Sequence, residues 1–135
     1  MSPELPVAQR MESARHALLH VHRVLLDAER IRYERMNGRV ENSGTFLQII
    51  MNDPWFVWLR PMSELIVQID QWLDGKERSP DLAELLLAQV RERLRPDEEG
   101  AEFQQRYYRL LQEDPTVAVA HAQVRALVQD PEGLT

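Results

Sequence analysis

The segment from Asn52 to Leu73 reads NDPWFVWLRPMSELIVQIDQWL and contains all three tryptophans of the chain. Asp53 followed by Pro54 is a helix start, because aspartate can cap the first turn and proline at the first helical position loses no hydrogen bond. Apolar residues then recur every three or four positions as far as Leu73, which predicts an α-helix with one buried face. We therefore expect this segment to form the central helix of the fold.

Pro61 lies inside this helical pattern, and the apolar repeat passes through it without a change of phase. An interior proline removes a backbone hydrogen bond and costs about 3 kcal/mol of helix stability. Either the helix continues with a kink, or a new helix starts at Pro61 with Arg60 as a poor N-cap. Because a restart usually shifts the phase, the favoured interpretation is a continuous helix that is kinked at Pro61.

The first helix is the longest element that the sequence predicts. From about Val7 to Met36, apolar residues step by three and four positions, and Val24 and Ile31 widen this stripe on one side. Asn37-Gly38 then ends the helix, because glycine readily adopts the left-handed backbone that terminates many helices.

Capping signals divide the rest of the chain into further helices. Ser43 is the expected cap of a short second helix, and Ser79-Pro80 and Asp114-Pro115 repeat the pattern of Asp53-Pro54. The predicted buried face of the fourth helix consists of Leu82, Leu85, Leu86, Val90 and Leu94. The fold class is therefore predicted to be all-α, a single-domain bundle of five to six helices with a long first helix and a Pro-kinked aromatic central helix. This domain is expected to span residues 1–135, with frayed termini at 1–6 and 131–135.

Composition and charge exclude several functions. The chain of 135 residues has no cysteine, which removes disulfides, thiolate metal sites and cysteine nucleophiles. Its formal net charge of −6 at pH 7 argues against nucleic acid as a partner, since phosphate binding needs a basic surface. Lys76 is the only lysine among 16 basic residues, a bias that we attribute to a GC-rich bacterial genome.

Neither a secretory signal nor a membrane span is expected. The N-terminal sequence MSPELPVAQRME lacks a basic region followed by an apolar one. The longest aromatic-rich apolar run, Trp55 to Leu59, is far shorter than the ~20 residues that a transmembrane helix needs. We therefore expect a cytoplasmic protein that makes no membrane contact, and we expect no cofactor.

His16 and His20, with Glu12 one turn earlier, are the first candidate for chemistry. Residues four positions apart share one helix face, where two imidazoles can bind a metal, and His121 on the sixth helix could add a third ligand. In its histidines and its helical class the chain resembles the DinB-type metal-dependent helical enzymes, and this resemblance implies a three-histidine metal site. In the heptad pattern of the first helix, however, these residues occupy outward positions, whereas a bundle metal site needs inward ligands. The competing interpretation is a solvated helix face.

A second candidate is the sequence RHALLH from Arg15 to His20. It resembles the R-x4-H motif of the HEPN-type helical ribonucleases, with a polar residue after the arginine. The resemblance implies that Arg15 and His20 meet at a dimer interface and act on RNA by acid–base and electrostatic chemistry. The match covers six residues and lies in the middle of the first helix rather than in a later one, so an exposed helix face is again the alternative.

The five apolar residues from Trp55 to Leu59 are consecutive, so on an α-helix they cannot all face one core. Either neighbouring helices cover this segment on every side, or part of it joins Phe46 or Met51 in an exposed patch that binds a protein. The leading hypothesis is a non-enzymatic module for protein–protein interaction or self-association, through this region or the long first helix. Tryptophan and arginine dominate such interfaces. The candidate interaction residues are Trp55, Phe56, Val57, Trp58 and Arg60.

Overall fold

The computed structural model describes residues 6–129, and its regular elements in this range are all helical. Its helices are α1 (Val7–Asn37), α2 (Ser43–Asn52), α3 (Arg60–Asp74), α4 (Pro80–Arg93), α5 (Glu102–Glu113) and α6 (Pro115–Val128), and a 3-10 segment (Pro54–Leu59) precedes α3. The predicted all-α bundle with a long first helix is confirmed. No helix within the described range is long and apolar enough to cross a membrane. The termini that we expected to be frayed, 1–6 and 131–135, lie outside this range except for Pro6.

The long helix α1 is the element around which the others assemble. Its buried apolar residues follow the predicted stripe, namely Met11, Ala14, Leu18, Val21, Val24 and Leu25. This helix contacts α3, α4 and α6. Ile31, which was expected to widen the stripe, is exposed instead. Gly38 ends the helix as predicted, with a φ of 90° that would strain any residue with a side chain.

The aromatic segment changes helix type instead of bending at Pro61. The residues of Pro54–Leu59 form a 3-10 helix that leads directly into α3. Pro61 therefore lies in the first turn of α3, where backbone N–H groups have no acceptor within their own helix. The expected cost of an interior proline does not arise at this position.

The 3-10 geometry also explains how so many consecutive apolar residues are accommodated. A 3-10 helix has three residues per turn, so side chains three positions apart share an edge. Pro54, Val57 and Arg60 lie on an exposed edge, whereas Phe56 and Leu59 lie on a buried one. With this period, only Val57 in the apolar run faces solvent.

Local capping signals were mostly predicted correctly. Asp53, Ser79 and Asp114 each accept a hydrogen bond from a backbone N–H in the first turn of the helix that follows. The expected cap at Ser43 is wrong by one residue. Asn42 caps α2, since its side-chain oxygen accepts a hydrogen bond of 2.8 Å from a backbone N–H three residues later.

The buried face of α4 is rotated from the predicted one. Leu82 and Leu85, which were expected in the core, are exposed, and Ala83 and Leu87 occupy inward positions instead. The run Leu85–Leu87 is compatible with more than one helical phase, and contacts with α1, α3 and α6 select between them.

Candidate protein-interaction surface

The helix α2 carries no charge, yet the bundle leaves its outer side uncovered. Its sequence SGTFLQIIMN carries no charged residue, and none of its ten residues is buried. Leu47 is 57 % exposed and Met51 is 64 % exposed. A surface helix usually directs charged and polar residues outward. The outer face of α2 therefore exposes two large apolar side chains, Leu47 and Met51, among polar side chains that carry no charge.

The inner side of α2 packs against the core through Phe46, Ile49 and Ile50. The guanidinium of Arg30 on α1 lies 4.6 Å from the centre of the Phe46 ring, in a cation–π contact. The same ring meets Phe56 edge-on, with 5.7 Å between the two ring centres. Arg30 also donates a hydrogen bond of 2.9 Å to the backbone oxygen of Val40 in the preceding loop. These contacts fix the orientation of α2 while its outer face stays in solvent.

An open groove with a volume of about 740 Å³ runs between α1 and α2. We call it the α1–α2 groove. It is lined by His16, Leu19, His20, His22, Arg23, Leu26 and Asp27 from α1, and by Ser43, Phe46, Leu47 and Ile50 from α2. All of its charged and titratable side chains belong to α1. The groove therefore has one mixed polar wall and one wall that is free of charge.

Three of the four histidines of the chain line this groove. His16 and His20 are exposed there, while His22 is half-buried and its Nε2 lies 3.0 Å from Ser63 Oγ on α3. Burial lowers the pKa of His22. Nucleophilic catalysis by a serine and a histidine needs a third group that orients the histidine. Within residues 6–129 no further hydrogen bond orients the ring of His22, and its contact with Ser63 joins α1 to α3.

The structure does not bring the three proposed metal ligands together. His16 and His20 lie on the outer face of α1, as the heptad pattern predicts, but His121 is hydrogen-bonded to Tyr107, with 2.7 Å between the hydroxyl and Nδ1. Burial raises the pKa of Tyr107, so its hydroxyl is protonated in this contact. Burial, and then the nearby charge of Arg125, lower the pKa of His121. Among residues 6–129, no three His, Asp or Glu side chains form a group that could hold a metal.

The two residues of the ribonuclease-like motif, Arg15 and His20, lie on different sides of α1. Arg15 donates through Nε to the carboxylate of Asp70 and so joins α1 to α3. His20 instead lines the α1–α2 groove. Within one copy of the chain, the motif therefore does not form a shared site.

Among the five candidate interaction residues, only Val57 and Arg60 face solvent. Phe56 is 2 % exposed, Trp58 is buried as well, and Trp55 is half-buried. The tryptophans thus belong mainly to the core. The larger uncovered apolar surface lies on α2, which the sequence suggested only as an addition to this run. A helix of ten residues without any charge was the signal that could have identified it.

A second cavity of about 510 Å³ lies between α4 and α6 and is lined by Arg91, Arg95 and Arg125. All three arginines stand near the C-terminal end of one of these helices, where positive charge offsets the negative end of the helix dipole. Arg91 also donates a hydrogen bond of 2.7 Å to the backbone oxygen of Val128. Arg91 therefore has a structural role, because it joins α4 to the end of α6.

Comparison with protein-family models, with curated proteins and with solved structures finds no match to this chain. Interface cores are depleted of charge and enriched in aromatic residues and methionine, and α2 has this composition.

Proposed function

We propose that the protein is a non-enzymatic helical module that binds another protein molecule, either a partner or a second copy, through the α1–α2 groove. The observation that carries this proposal is α2 itself, a helix with no charged residue and no buried one. Each Å² of apolar surface that is removed from water contributes roughly 25 cal/mol. A protein that covers Leu47 and Met51 would bind more tightly by this free energy, because both side chains are still exposed to water in the folded chain.

The shape and the edges of the groove support the same function. Contiguous apolar surface with a polar rim is typical of interaction sites. The polar wall of the groove supplies such a rim through Arg23 and Asp27, which carry opposite charges. A groove between two helices suits an amphipathic helix, because the apolar face of that helix can enter it while its polar face stays in water. The groove also lies along the long first helix, one of the two regions that the sequence suggested.

The compartment that we propose is the cytoplasm. A chain without cysteine gains nothing from an oxidising environment and suits a reducing one.

Site-specific photo-cross-linking tests this function. The substitution Leu47→p-benzoylphenylalanine would place a photo-reactive side chain in the groove. The variant would be expressed in the cells that naturally produce the protein. The matched control is Leu85→p-benzoylphenylalanine, since Leu85 on α4 is 54 % exposed and lies outside the groove. We expect a covalent protein adduct of defined mass from position 47 and not from position 85. No adduct at position 47, or the same adducts at both positions, would refute the proposal.

A further inference from the structure

We propose that the molecule bound in the α1–α2 groove is a second copy of this chain. The two copies are related by a two-fold axis, and α2 of each copy lies in the groove of the other. This inference rests on the proposed function, because it names the occupant of the same groove. It follows from three properties of α2, namely its length, its lack of charge and its position beside the groove.

The length of α2 matches the length of the groove. At a rise of 1.5 Å per residue, the ten residues of α2 extend over about 15 Å. On α1, the lining residues run from His16 to Asp27, eleven positions apart, which corresponds to about 16 Å. A second α2 is therefore comparable in length to the α1 side of the groove.

The charges of the groove also favour α2 as the occupant. On the polar wall, Arg23 and Asp27 offset each other, and the α2 wall has no charge at all. A charged helix would lose hydration here without finding an opposite net charge. Among the α-helices of residues 6–129, α2 is the one that contains no charged residue.

The projecting residues and the groove lie next to each other on one side of the molecule. Leu47 and Met51 are one helical turn apart on the exposed side of α2, and Leu19 and Leu26 contribute apolar surface to the groove. A two-fold axis requires that one surface patch be complementary to itself. The patch meets this requirement, because each copy offers both the side chains that enter and the groove that receives them. In this arrangement, Leu47 of one copy packs against Leu19 of the other.

Sedimentation velocity over a wide concentration range tests the inference on the full chain. We expect a dimer that is weakened at least about tenfold by Leu47→Asp and by Leu19→Arg, because each change places an unpaired charge in the apolar contact. Both side chains are exposed, so circular dichroism should show an unchanged fold. An equimolar mixture of the two variants should recover dimerisation, since the carboxylate introduced at position 47 of one chain then meets the guanidinium introduced at position 19 of the other. Leu85→Asp is the control and should leave the dimer intact.

The outcomes separate this inference from the proposed function. If the native chain is a monomer at all concentrations, or if the mixture of variants stays monomeric, the two-fold arrangement is refuted. An equal loss of dimer in Leu85→Asp would refute it as well. A monomeric chain that still cross-links at position 47 to a different protein would refute the inference and leave the proposed function standing. A monomeric chain without such an adduct would refute both.

Discussion

The indole N–H of Trp58 donates a hydrogen bond of 3.3 Å to the carboxylate of Glu29 on α1. Glu29 is 1 % exposed, and its other carboxylate oxygen accepts a hydrogen bond of 3.1 Å from Arg32. A carboxylate at this depth needs partners, because an unpaired buried charge is strongly destabilising. The aromatic segment is therefore tied to the long helix by a polar contact as well as by apolar packing.

Removal of this indole donor tests the contact. Trp58→Phe should lower the free energy of unfolding by about 1–3 kcal/mol beyond the lost apolar contact, since one oxygen of Glu29 is left buried without its donor. The control is Trp55→Phe, because the indole N–H of Trp55 is buried and has no acceptor in the described part of the chain. Urea unfolding of both variants gives the comparison. An equal loss in the two variants would mean that the hydrogen bond is not stabilising.

Glu29 also illustrates where prediction from sequence ends. Local signals predicted the caps at Asp53 and Asp114 and the stop at Gly38, because each depends on a few neighbouring residues. Glu29 lies one turn after Leu25 on the buried face of α1. From sequence alone, a charged residue at this position suggests that the apolar face has ended. Burial of Glu29 could be predicted only if its hydrogen-bond partner were known. That partner lies 29 positions away in the sequence, and helical periodicity carries no information about it.

The candidate site was harder to predict for a related reason. The segment Ser43–Asn52 contains no charged residue, but whether other helices cover it depends on tertiary packing. The tryptophan run attracted the interaction hypothesis because tryptophan is frequent at interfaces. In the structure, the 3-10 helix Pro54–Leu59 directs most of these side chains into the core. A run of consecutive apolar residues does not indicate whether the helix has 3.0 or 3.6 residues per turn, so this orientation could not be predicted.

The two edges of the 3-10 segment should respond very differently to truncation. Phe56→Ala should cost about 3–5 kcal/mol, because it removes a buried ring that contacts both Phe46 and Tyr33. Val57→Ala should change stability by less than about 0.5 kcal/mol, since Val57 is 43 % exposed. Urea unfolding checks the pair. A similar cost at both positions would show that Val57 is buried in solution as well.

The cap of α2 gives a prediction at neighbouring positions. Asn42→Ala removes the oxygen that accepts the hydrogen bond from the Thr45 N–H, which should destabilise α2 by about 0.5–2 kcal/mol. Ser43→Ala is the control, because Ser43 lies within the helix and is exposed. Amide hydrogen exchange should show faster exchange across α2 in the first variant only. Faster exchange in Ser43→Ala alone would restore Ser43 as the cap.

Two half-buried histidines, His22 and His121, should make stability decrease on acidification. Burial lowers the pKa of both side chains in the folded protein, and Arg125 lowers that of His121 further. Their ordinary pKa is 6.5, which applies once the chain unfolds. As the pH falls through 6.5, the unfolded chain therefore binds protons that the folded protein does not take up. The free energy of unfolding should decrease from this point and level off below the lowered pKa values.

Urea unfolding between about pH 8 and pH 5 measures this dependence on the native chain. The double variant His22→Gln/His121→Gln should show a flatter profile over the same interval, because glutamine does not titrate. Glutamine retains an acceptor for the Tyr107 hydroxyl and a donor for Ser63, so the two contacts with the core can persist. A native chain whose stability increases on acidification would contradict the depressed pKa values. An unchanged slope in the double variant would assign the pH dependence to other groups.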